Sequence, residues 1–414
     1  MPKLQEGIYY DRGQKPAQCF SIIFLRAQTD ATAPQVAELF GKLWQTYQDL
    51  KRGVVADLPG VELPPSGLTV LVGYGPKAFS LPQANRTLPQ ALQARNQFRS
   101  SLQGGGNPIL VGSQLRYLQG LSKNLATEEI AVQFIGDTPL SVNRPILETW
   151  KILQDNTDPA TGTATLSLSG IFTGFNREDG RSWIDFHDGI SNLKSGNPRL
   201  QVVEIKPQTA GGDDWTIGGT YLTFLRLQVD LPVWRKLSRL DQELLVGRDK
   251  LTGCPITSLN PAGNPISETG CPFVGTKDIL ASGNEDFREP PQAVSDQIKQ
   301  SHVQRANQLK SGNLSDPDSL RIFRQGYEFL ETSANGWSFG LNFVSFQDTP
   351  ARVIQMLSRT SWLKDVNFGG DPNTQPPGTS GLLSVEAAGI YLVPPVVETE
   401  KFPGESIFLR ATNS

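Results

Sequence analysis

The amino-acid sequence predicts an α+β protein made of two successive βαββαβ units, split near residue 200, and three observations carry that prediction. The stretch FLRAQTD begins at Phe24 and returns as FLRLQVD at Phe224, two hundred positions later. Each copy closes an apolar, strand-like run and is followed by a switch to helical periodicity. At roughly 150 residues per domain, 414 residues leave room for two or three cores. A seven-residue match with two mismatches also arises by chance, because strand-to-helix junctions share turn chemistry; the matching position in each half favours a duplication.

The elements follow in order. After the first copy, Val36, Leu39, Phe40, Leu43 and Trp44 recur at helical spacing across 31–50, with Asp30 or Thr32 as N-cap. GLTVLVGYG (67–75), EEIAVQFIGD (128–137) and TLSLSGIFTGF (165–175) read as strands, with PILETWKILQ helical after the second. In the second half LPVWRKLSRL follows FLRLQVD as a helix. The run from Leu341 ends a strand at Gln347-Asp348 and passes through Pro350 into a helix carrying Val353, Ile354 and Leu357, and LLSVEAAGIYLVPP (382–395) supplies a last strand. Strands that alternate with helices twice per half give sheets with helices on one face. Three long loops stand outside this pattern, 101–108, 252–292 and 368–381, and loops of that length line lids, channels or interfaces.

A net charge of −3, 38% hydrophobic and 19% charged residues describe a globular chain without the basic patch that nucleic acid requires. The three cysteines, Cys19, Cys254 and Cys271, form no Cys-x-x-Cys pair, which points to a reducing compartment and away from zinc. The N-terminal stretch has no apolar signal core and no run of ~18 apolar residues follows, so the expected location is cytoplasmic, without a membrane partner. Homo-oligomers are expected on base rate alone.

Only two histidines occur, His187 and His302. His302 shares a predicted helical face with Val294, Ile298 and Leu309; an imidazole there is either a packed core residue or an axial haem ligand. In WIDFHDGIS, an extended chain over 183–188 turns Asp188 and Phe186 one way and His187 and Asp185 the other. Asp188-Gly189 is then either a hairpin turn or a carboxylate aimed into a pocket. Arg324, in SLRIFRQGYEF, is either a solvated cation or an oxyanion stabiliser in an apolar pocket.

Taken in order, FHDGISN, GGTYLTFLRLQVD, QELLVGRD, SHVQRAN, RIFRQGYEF and GLNFVSFQ resemble the dye-decolourising haem peroxidases, and TVLVGYGPKAF extends the likeness into the first half. The resemblance implies two duplicated ferredoxin-like domains with antiparallel sheets, 1–200 and 201–414, with haem b in the second. It implies that His302 is the iron ligand, Asp188 the acid-base residue and Arg324 the partnering cation, with Arg305 toward a haem propionate and Leu341, Phe343 and Phe346 walling the haem. His187 falls to the back of the strand. Asp185 departs from the family's Gly-x-x-Asp-Gly pattern by standing where the first glycine belongs. Glu386 and Asp348 are candidates for an acidic partner of His302. The implied activity uses hydrogen peroxide to oxidise dyes and phenolic or other aromatic reductants in one-electron steps. Carboxylates stay ionised in acid where an imidazole is protonated, so an acidic optimum follows. Trp183, Trp337 and Tyr327 are the aromatics nearest the motifs. The rival readings are a haem-binding or haem-handling protein without peroxidase turnover, and a cofactor-free pair of domains.

Overall fold

Two apolar runs, CFSIIFLRA and TYLTFLRLQV, become the central strands of two four-stranded antiparallel sheets. The computed structural model describes residues 3–10, 14–93, 128–266, 298, 301–306, 321–333, 336–357 and 382–410. The first sheet holds β1 (Cys19–Ala27), β2 (Thr69–Tyr74), β3 (Ile130–Gly136) and β4 (Leu166–Phe175) in the order β4-β1-β3-β2. The second holds β5 (Thr220–Val229), β6 (Phe323–Ser333), β7 (Gly336–Gln347) and β8 (Leu383–Val393) in the order β8-β5-β7-β6. Numbered within its own half, each sheet reads 4-1-3-2. Their edges close into one barrel through the pairs Glu328↔Phe175 and Leu392↔Tyr74.

Because both faces of β1 and β5 are covered, their sequences are nearly continuous hydrophobic runs. The space between the sheets is filled by Phe20, Ile22 and Phe24 of β1 against Leu222 and Phe224 of β5, with Phe323, Tyr327, Val344, Phe346 and Tyr391 completing the cluster. Phe20 and Tyr327 stack at 4.3 Å. Each such ring, fully buried, contributes on the order of 1.5–3 kcal/mol.

The outer face of the first sheet is sealed by α1 (Ala33–Lys51) and α2 (Pro139–Asp155). Helix α1 starts where Gln35 accepts the Thr32 backbone N–H at 2.9 Å, and α2 where Thr138 and Ser141 bond reciprocally. Helix α2 therefore begins ahead of the predicted PILETWKILQ and runs through Pro145. Val36, Phe40, Leu43 and Tyr47 of α1 are buried. The second sheet is met by shorter helices: α3 (Leu231–Lys236), α4 (Arg239–Val246), α5 (His302–Ala306) and α6 (Pro350–Leu357). LPVWRKLSRL is thus two helices, broken at Leu237, with Ser238 capping the second by accepting the Asp241 N–H at 3.1 Å.

Cys254 is disulfide-bonded while Cys19 is a free thiol. That bond does not accord with a reducing compartment. Among the described residues no helix is long and apolar enough to cross a membrane. The loops 101–108 and 368–381, and most of 252–292, lie outside the described residues.

Candidate active site

Residues two apart on a strand share a face. On β6 the positions Arg324, Gly326 and Glu328 stand in register with Ser345, Phe343 and Leu341 of β7, and the last two with Leu225 and Leu227 of β5. All of these positions except Ser345 floor a cavity on the outer face of the second sheet, about 1310 Å³ including its open mouth. Trp234 of α3, Leu245 and Val246 of α4, Met356 of α6 and His302 rim it.

Asp188 reaches this floor from the connection between β4 and β5. The segment 183–188 is not extended as expected. Ser182 N–H donates to the Phe186 carbonyl oxygen at 2.9 Å and Asp185 N–H to that of Ser182 at 2.8 Å, while Arg181 Nη1 binds the carbonyl oxygens of Asp185 and Lys250 at 2.7 and 2.8 Å. Asp185 has a φ of 66°, the left-handed region that glycine adopts freely and Asp tolerates. The departure from the glycine pattern is therefore a substitution at a turn that keeps its shape. The Asp188 N–H donates to the Gly180 carbonyl oxygen at 3.0 Å, and Asp188 Oδ1 accepts the Gly189 N–H at 2.6 Å. Asp188 Oδ2 lies over Gly326, 3.4 Å from where a β-carbon would stand. Because the chain turns here, His187 does not point away: it lines the cavity beside Asp188. Phe186 is the buried one, packed at 6.2 Å on Trp234.

Arg324 is held from below. Asn192 Nδ2 donates to the Arg324 carbonyl oxygen at 2.7 Å and the Arg324 N–H donates to Asn192 Oδ1 at 3.0 Å, a two-point clamp of β6 onto the Asp188 segment. Arg248, buried, donates to the Gly253 carbonyl oxygen at 2.7 Å and to Ser191 Oγ. Asn192 and Ser191 sit inside the FHDGISN motif, yet nothing local assigns them a partner more than fifty residues away. Only their presence in the quoted motif pointed to them.

His302 opens α5 and lines the same cavity as Asp188 and Arg324. Burial pulls its pKa down to about 3, helped by Arg324 and Arg248 and opposed by Asp188, so the imidazole is neutral, as a metal ligand must be. A neutral imidazole on an apolar wall, with cations at hand for acidic substituents, fits haem b. Of the other expected residues, Leu341 and Phe343 line the cavity. Phe346 does not: it is even-numbered on a strand whose odd positions face the cavity, so it lies between the sheets, 6.4 Å from Phe323. The side chain of Arg305 lies outside the described residues. Asp348 is bound by Arg352 Nε at 2.6 Å and Glu386 accepts from Arg226 Nε at 2.9 Å, so each candidate acidic partner is committed to an arginine. Trp183 lines the cavity, Trp337 is 62% exposed and Tyr327 is buried. Glu328, which the sequence did not single out, also lines the cavity.

A carboxylate, a guanidinium and imidazoles thus share one apolar cavity, the kinds of side chain that peroxide chemistry at a haem calls for. A family model described as "Dyp-type peroxidase, C-terminal" matches residues 179–397, more than half of the chain, and the chain belongs to that family. It is 27% identical over 173 residues to the dye-decolorizing peroxidase of Thermobifida fusca, a stretch covering 40% of this chain and 33% of that protein. It is 25% identical over 168 residues to the deferrochelatase of Escherichia coli K12, covering 40% and 34%. The matched stretch thus spans about a third of these relatives' length. Among solved structures, DtpA from Streptomyces lividans superposes with a TM-score of 0.64 at 17% identity, covering 99% of this chain and 98% of that one. The DyP-type peroxidase from Cellulomonas bogoriensis gives 0.63 at 18%, covering 98% and 96%. At these identities the likeness is one of fold.

Proposed function

We propose that this chain is a haem peroxidase that reduces hydrogen peroxide with electrons from dyes and phenolic or other aromatic donors, built as two duplicated ferredoxin-like domains, 1–200 and 201–414, with haem b in the second. The observation that carries this reading is convergence: Asp188, His302 and Arg324, more than a hundred positions apart at the extremes, meet at one apolar cavity. His302 would hold the iron through its neutral imidazole, with Leu341 and Phe343 as apolar walls of the pocket that receives the haem. Haem, when bound, supplies the redox chemistry, taking oxidising equivalents from peroxide and passing them on one electron at a time. Asp188 Oδ2 accepts the proton of the inner peroxide oxygen and returns it to the outer oxygen, which leaves as water. Arg324 stabilises the negative charge that builds on that oxygen as the bond breaks.

The test begins with the absorption spectrum of the purified chain supplemented with haem. A Soret band is expected, lost in His302→Ala. Stopped-flow reaction with stoichiometric peroxide is expected to slow on the order of a hundredfold or more in Asp188→Asn and in Arg324→Ala. Absence of the band, or variants as fast as the parent chain, overturns the reading. The deferrochelatase relatives favour a second reading, haem binding or handling without peroxidase turnover, which needs His302 and the cavity but neither Asp188 nor Arg324. Haem retention combined with indifference of peroxide chemistry to both substitutions selects it.

A further inference from the structure

Strand β6 presents Arg324, Gly326 and Glu328 in succession to the cavity. Gly326 leaves a gap, and Asp188 Oδ2 occupies it. Positions two apart on a strand are separated by roughly 6.5 Å, so Asp188 is flanked by a guanidinium on one side and by a second carboxyl on the other. Glu328 is 7% exposed. It lines the apolar cavity and also an outer, polar groove bordered by Tyr10, Lys15, Asn176 and Arg181; the two spaces share Asp188, Arg324, Gly326 and Glu328 as their common wall.

The groups facing Glu328 come from each element around it. Asp188 lies beside it; Arg177 and Asp179, from the turn after β4, bind each other at 2.5 Å; Arg324 stands on its own strand. Its ladder partners, Leu341 and Phe175, carry no charge. Two carboxyls this placed do not both ionise cheaply.

We propose that Glu328 is the proton store of the cavity: a neutral acid that hands its proton to Asp188 and is refilled from the outer groove. Burial and Asp188 push the Glu328 carboxyl up to about 8, against the pull of Arg177 and of the Trp183 amide. The inference rests on the peroxidase reading for its purpose. Reduction of hydrogen peroxide to two waters consumes two electrons, which the aromatic donor gives, and two protons, which must enter a largely apolar space. For each, Glu328 gives its proton to an intervening water as that water gives one to Asp188 Oδ2, and a hydronium ion arriving through the groove reprotonates Glu328, so the proton comes from solvent. Glu328 acts through Asp188 and is a positioning residue.

Infrared pH titration of the full chain as purified reads the store without haem turnover. A buried carboxylic-acid stretch is expected at pH 7, lost as the pH passes about 8 and absent from Glu328→Gln. Arg177→Ala, by removing the opposing cation, moves that loss to higher pH. No such band, or a band unchanged in Glu328→Gln, overturns the proposal. In steady state with haem, Glu328→Gln is expected to turn over about tenfold more slowly at pH 7 and to lose the decline near pH 8, with partial rescue by Glu328→Asp. A retained inflection near pH 8 in Glu328→Gln also overturns it. The infrared result stands apart from the peroxidase assignment, so the two can fail separately.

Discussion

Phe134 and Phe343 occupy the third strand of their respective sheets, and both face outward, yet one is core and the other is cavity wall. Phe134 is fully buried, with its ring 5.0 Å from Tyr47 of α1. Phe343 is only partly buried and faces open space. The difference lies in what covers them. Helices of 19 and 17 residues lie over the first sheet; over the second, α3 and α4, each followed from cap to cap, have 6 and 8. Helices that short reach the rim of a sheet but do not span it. The outward face of the third strand is thus solid core in one half and cavity wall in the other.

Truncating the two phenylalanines breaks or sustains that contrast. Phe134→Ala is expected to cost about 3–5 kcal/mol in chemical denaturation, since it leaves a void under α1. Phe343→Ala is expected to cost about 1 kcal/mol, because its ring already borders a cavity and little more than its transfer term is lost. Equal losses would mean that the second sheet is packed as tightly as the first. Asn192→Ala, which frees the β6 backbone under Arg324, is expected to slow peroxide reduction about tenfold while the Soret band is kept, and to lower stability by about 1 kcal/mol. A pH dependence is expected as well. His302 has its folded pKa depressed, so between about 3 and its ordinary 6.5 the unfolded chain binds a proton that the folded chain refuses. Stability of the haem-free protein contributed by this group is therefore full above pH 6.5 and is lost as pH falls toward 3. Urea midpoints measured from pH 7 down to about 4.5 should decline more steeply in the parent chain than in His302→Gln.

How far the chain could be read in advance follows from what kind of contact fixes each part. The strands of FLRAQTD and FLRLQVD, the helix over 33–51 and the α+β class were legible, because periodicity records which face is buried. His302, Asp188 and Arg324 were named through the resemblance of their motifs, and the structure brings all three to one cavity. What failed did so for nonlocal reasons. The alternation in WIDFHDG imitates a strand, but Arg181 reaches the Asp185 and Lys250 carbonyls and folds the segment into a turn, which brings His187 round to the cavity. Phe346 was placed by its neighbours in the motif when the parity of its strand position decides its face. Asn192 and Glu328 acquire their meaning only from partners that are distant in the chain or lie across a wall, and composition carries no trace of either.

Asp188 and Asn192 belong to the stretch that joins one sheet to the other. A connector is ordinarily the part of a protein most open to insertion, deletion and drift. Here the connector supplies the carboxylate that stands over Gly326 and the clamp on the Arg324 backbone, so a single added residue would displace both at once. The chain's freedom to change is inverted: its most linker-like passage is the one it can least afford to edit.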